Sequence, residues 1–258
     1  MNRTMKKKKS TIATAMGNWA PTITFLIGIA GAAYTAYHTL LVQPKVDQRA
    51  RLDSELAGIR TVRADAQTKV LGKTDQNMLL AIWQSQANQE AGYVFNAERD
   101  IRGFETTLNS EQWFVLAAAE FDEGRQDQAI TYIEKSISTT SDPMARVGLL
   151  RTEADWYVRL RGVANYDVSI GVIDRALKDA NNLPHPAADI LTAQLYSQKA
   201  LYAFQARRCN DFTASLNKFL QASRSLEKIN VIDGSLRQGL ETLINKGGNC
   251  PFDSSAFL

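Results

Sequence analysis

Histidine and cysteine are nearly missing from this chain, with two of each in 258 residues. Nowhere do His, Cys, Asp and Glu fall at metal-ligand spacing, so neither a structural zinc site nor a metal-centred reaction is expected. No glycine-rich phosphate loop and no nucleophile elbow occurs, so no cofactor and no bond-making chemistry is expected either. Six prolines and fifteen glycines are too few for a turn-rich β-protein or a low-complexity chain. Positive charge is also missing from the body. Arg3 and Lys6 to Lys9 hold five of the 30 basic residues, leaving 25 against 27 acidic ones. A mildly acidic body lacks the positive surface that displaces counterions, which excludes nucleic acid as a partner.

Charge of either sign is absent from Ser10 to Pro44. Within that gap, residues 19–42 read "WAPTITFLIGIAGAAYTAYHTLLV". As helix they reach about 36 Å, enough to cross the hydrocarbon core of a bilayer with some tilt. Trp19 at one end and Tyr34, Tyr37 and His38 at the other suit the two interfaces. The denser basic side stays in the cytoplasm, so residues 1–18 are expected inside and the remainder outside, as in a single-pass protein of a bacterial inner membrane. Ala30-Gly31-Ala32 has the small-x-small form of a signal-peptidase site, and a cleaved leader is the alternative. The apolar run continues beyond that point, which favours an anchor. Gly28, Gly31, Ala32, Thr35 and Ala36 form a strip of small residues that lets a second membrane helix approach, and it is equally ordinary membrane-helix composition.

The rest is rich in Leu, Ala, Gln, Glu, Lys and Arg, and reads as all-α. Residues 43–108 are expected to form a helical stalk or linker. In it, a helix over 45–75 shows Leu52, Leu56, Ile59, Val62, Ala66 and Val70 at a spacing of three to four. Helices over 75–99 and 101–108 follow, with Leu79, Leu80, Ile82, Trp83, Ala87, Val94 and Phe95 as core candidates. Asn109-Ser110 caps a helix running to about Glu123, and Gly124 permits its terminal turn. A second helix runs from about Asp127 to Ser138. Ser141-Asp142-Pro143 places a cap before proline at the first position of a third helix, over 143–161.

Superposing the second helices exposes a repeat. Ala129, Ile133 and Ser136 align with Ser169, Ile173 and Ala176, and with Ser215, Phe219 and Ala222. Each set follows a short polar turn, and Leu116, Trp156 and Tyr202 occupy the matching place upstream. Small residues let paired helices close up, and large ones fill the space between hairpins. Residues 109–230 therefore read as a helical-hairpin solenoid, closed by a capping helix and tail over 231–258.

These residues resemble the tetratricopeptide repeat, whose pattern is Trp-x2-Leu-Gly-x2-Tyr, Ala-x3-Phe, Ala and Pro. The first hairpin offers Trp113, Leu116, Ala117, Glu120, Ala129, Ile133, Ser136 and Pro143. Glu120 stands where the family has tyrosine, and the copies are 40 and 46 residues apart where the family has about 34. The resemblance covers about residues 110–228 and implies a scaffold whose concave face, lined by the first helix of each hairpin, binds other proteins of a membrane complex. The layout also resembles the periplasmic tetratricopeptide proteins that attend the secretion translocon. Residues 153–186, "EADWYVRLRGVANYDVSIGVIDRALKDANNLPHP", are similar to the helical segment of membrane-anchored HemX-like proteins. That second resemblance implies an accessory role in tetrapyrrole metabolism as the alternative.

Arg146, Glu153, Arg159, Gln194, Gln198 and Lys199 are the candidate groove residues, or else ordinary surface positions. Trp113, Trp156, Tyr157, Tyr202 and Phe204 read as core. The pairs Glu153/Asp155 and Asp122/Glu123 read as solvated charges. Outside the cytoplasm Cys209 and Cys250 are free to pair, pinning the tail across the end of the stack; the alternative is two separate thiols.

Overall fold

The computed structural model describes residues 30, 32–161, 165–227 and 250. Among them are eight α-helices and no strand. They are α1 (Gln43–Val70), α2 (Gln76–Asp100), α3 (Ser110–Asp122), α4 (Gln126–Thr139), α5 (Pro143–Arg161), α6 (Tyr166–Ala180), α7 (Ala187–Gln205) and α8 (Cys209–Glu227). Consecutive helices pair into four hairpins, and the hairpins stack. The first packs both its helices on α3, α4 meets α5, and α6 meets α7. The architecture is thus a helical solenoid.

Local chemistry sets the boundaries. Asp75 Oδ1 accepts the backbone N–H of Asn77 at 2.8 Å and starts α2. At α3 the capping box is complete: Asn109 Oδ1 accepts from Gln112 N–H at 2.9 Å, and Gln112 Oε1 accepts from Asn109 N–H at 3.1 Å. Asp142 Oδ1 accepts from Met144 N–H at 3.0 Å, with Pro143 opening α5 where no amide donor is needed. Gly124, at φ +75°, makes the left-handed turn between α3 and α4. The helix expected over 101–108 does not form. Gly103 at φ +86° breaks it, and only Glu105–Thr107 makes a 3-10 turn.

The repeat is visible as burial. Of the aligned positions, Ala129, Ile133, Ser136, Ser169, Ile173, Ala176, Ser215 and Phe219 are buried and Ala222 is half-buried, and Leu116, Trp156 and Tyr202 on the partner helices are buried too. Ser136 ties α4 to α3 by donating its hydroxyl to the Ser110 carbonyl at 2.7 Å. The Trp156 ring stacks on Phe121 with centroids 4.5 Å apart, joining the second hairpin to the third. Burying a side chain of this size is worth roughly 1.5–3 kcal/mol.

The segment expected as a stalk is helical but folds back on itself, and α1 and α2 form the first hairpin of the stack. On α2 the expected core residues are only partly inside. Val94 is buried, Leu79 and Ile82 are half-buried, and Leu80, Trp83, Ala87 and Phe95 are exposed. Gln86, Glu90, Ala97 and Asp100 face the interior with Val94. The reason is charge pairing across the hairpin. Arg63 of α1 reaches Glu90 at 2.6 Å, and Arg51 reaches Asp100 at 3.2 Å.

Half of the expected span, residues 19–29 and 31, lies outside the described part, as do Gly28, Gly31 and the basic terminus. Among the described residues no helix is long and apolar enough to cross a membrane. Residues 32–37 are helical, with Ala32, Thr35 and Ala36 exposed, and His38–Val42 is a π-helical stretch leading without a turn into α1. The capping helix and tail expected over 231–258 also lie outside, except for Cys250, which is buried and disulfide-bonded to Cys209 at the start of α8.

Candidate docking wall

First helices of successive hairpins lie side by side, α1 against α3 and α5 against α7. On α5, Met144, Gly148, Arg151 and Arg159 are exposed, and Asp155 is half-exposed between them. Their spacing of three to four residues puts them on one stripe. Hydrogen bonds to α7 fix that stripe. Arg151 Nη1 donates to Gln194 Oε1 at 2.8 Å, and Gln198 Nε2 donates to the Arg151 carbonyl at 3.3 Å. Gln198 also donates to the Tyr202 hydroxyl, which in turn donates to Asp155 Oδ1 at 3.3 Å. Asp155 is gripped from the other side by Arg159 at 2.6 Å. Burial pushes the Tyr202 hydroxyl well above the usual phenol range, so it stays a proton donor.

The six candidate groove residues therefore divide. Arg159, Gln194 and Gln198 share this wall. Arg146 is exposed but turns to α6, pairing with Asp179 at 3.1 Å. Lys199 is drawn to Asp174 of α6 at 2.6 Å. Glu153 is neither groove-facing nor solvated: it is buried, and Arg175 of α6 donates to both its oxygens, at 3.0 and 3.3 Å. Burial raises its pKa and Arg175 opposes the rise. The five core aromatics are buried or half-buried. Arg151 is the wall residue that reading the sequence missed. The signal was its place on the Gly148–Asp155–Arg159 stripe, where the spacing was available but the neighbouring helix was not.

No family model, curated protein or solved structure matches the chain. The tetratricopeptide and HemX-like resemblances accordingly rest on the quoted residues alone. Among the described residues no group of three or more His, Cys, Asp and Glu is placed to hold a metal ion. His185 is exposed and bonds Asp189 through Nδ1 at 2.8 Å, one turn along the same segment. What the wall offers is a fixed row of guanidinium, carboxylate and amide groups. Prefixed geometry lowers the ordering cost of binding a partner surface.

Proposed function

We propose that this protein is a membrane-anchored docking scaffold, an accessory subunit of a bacterial inner-membrane complex, whose partner binds the α5–α7 wall. The observation that carries the reading is the wall itself: exposed Arg151 is held by bonds to α7, and exposed Arg159 by Asp155 one turn back on α5, which Tyr202 of α7 holds in turn, so the surface is formed before a partner arrives. Two further features support it. The uncharged run over 19–42 behind a basic terminus has the make-up of a single-pass anchor with its C-terminal part outside. The Cys209–Cys250 bridge belongs to oxidising compartments, the same side of the membrane.

The test is site-specific photocrosslinking in native membranes. A photoreactive residue at position 151 or 159 gives a discrete higher-mass adduct, and one at exposed Val168 on α6 does not. Adducts equal at all three positions, or at none, refute the wall. A monomer that crosslinks to nothing refutes the scaffold.

A further inference from the structure

A second feature lies on the first hairpin and does not depend on α5 or α7. Where α2 passes the C-terminal end of α3, a cleft of about 210 Å³ opens, lined by Trp83, Gln86, Ala87, Glu90, Asp122 and Glu123. Its polar lining is made of acceptors that are under-compensated. Arg63 serves two of the three carboxylates at once, Glu90 and Asp122, each at 2.6 Å. Arg125 contacts Glu123 at 2.9 Å but is also bonded to buried Glu120 and lies near Glu98. Two arginines thus face five carboxyl groups. The end of α3 adds the negative pole of a helix dipole.

Two acceptor atoms on these lining residues are unused. Gln86 is only 8% exposed, and its Oε1 has no hydrogen-bond partner among the described residues. The amide orientation follows from its neighbour: Nε2 donates to Glu90 Oε2 at 3.1 Å, and a carboxylate accepts only from the nitrogen. Glu123 Oε1 is likewise buried and without a partner. A buried acceptor left empty costs about 1–3 kcal/mol, more when charged, so both gain from a donor. Burial also holds the Asp122 and Glu123 carboxyls above their usual range despite Arg63 and Arg125, as expected where countercharge falls short. The half-exposed Trp83 indole lies beside these acceptors, and indole is the best aromatic partner for a cation.

We infer that this cleft binds one alkyl-guanidinium or alkyl-ammonium group, with Glu123 and Gln86 accepting its hydrogen bonds and Trp83 packing on its alkyl stem. The volume admits a single such head group with a few methylenes. The ligand is an arginine or lysine side chain of a peptide, or a free polyamine; the chemistry is shared.

The experiment titrates the full-length 15N-labelled chain in mild detergent with three probes and follows the Trp83 indole resonance. The probes are N-acetyl-arginine methylamide, spermidine, and the neutral N-acetyl-citrulline methylamide. A saturable Trp83 shift with a charged probe, at least tenfold tighter than with citrulline, is expected. The tighter of the two charged probes identifies the source. Glu123→Gln weakens the charged probe about tenfold, the effect of one lost charge-assisted hydrogen bond. Arg151→Glu on the docking wall leaves it unchanged, so this site and the scaffold reading fail separately. Equal binding of citrulline, or no saturable shift, overturns the inference without recourse to any variant.

Discussion

Glu120 allows a sharp test of the packing. It occupies the tyrosine position of the tetratricopeptide pattern and is fully buried. Arg125 grips both its oxygens, and Glu98 of α2 lies within hydrogen-bonding reach. Burial, with Glu98 adding to it and Arg125 opposing it, pushes the carboxyl from its ordinary 4.5 up to about 7. Between those two values the native state holds a proton that the unfolded chain has released, so stability falls as pH rises. The contribution is complete below 4.5 and gone above about 7. At 1.36 kcal/mol per unit the difference amounts to about 3 kcal/mol. Glu120→Gln keeps the shape and removes the titration. Denaturant unfolding followed by circular dichroism at pH 4.5, 6, 7 and 8 should show the wild type losing about 3 kcal/mol more than the variant across that range. Asp122, Glu123 and Glu153 slope the same way, because burial raises each of them, so only the difference between the two proteins counts. Parallel pH profiles would refute the assignment.

Cys250→Ser should lower stability by about 4 kcal/mol on the chain-entropy model, for a loop of 41 residues, and should expose one free thiol to a thiol reagent in the denatured, unreduced chain. Arg175→Ala should cost about 2–3 kcal/mol in urea unfolding and Glu153→Gln only about 1, because the first strands a buried carboxylate and the second removes its charge. Trp156→Ala should cost about 3–5 kcal/mol, since the ring stacks on both Phe121 and Phe114 across the joint between two hairpins; thermal unfolding measures it.

Much of the fold was legible because the punctuation is local. Asn109 with Gln112, Asp142 before Pro143, and Gly124 each act within a few residues, so α3, α4 and α5 begin and end close to where their caps place them. The alternation of small and large residues on the second helices was legible for the same reason. The cysteine pairing was one of two readings open from the sequence, and the two residues are bonded. Illegible were the buried carboxyls. Glu90, Glu120 and Glu153 are hydrophilic by type and buried by circumstance, each answered by an arginine 5 to 27 residues away. Nothing in a periodicity distinguishes such a partner from a solvated charge. The same blindness put Leu80, Trp83 and Phe95 in the core of α2, when the paired acids were on the inner side. The candidate wall was half readable: the residues of each helix were in view, but not which helix would grip them.

The backbone stays helical from Ala32 through the π-helical stretch to Val70, a rod of about 58 Å. Near its far end Arg63 clasps the second helix and the third at once. No loop therefore separates Tyr34 from the joint where the second hairpin begins, and the π-helical stretch at His38–Val42 is the one irregularity between them.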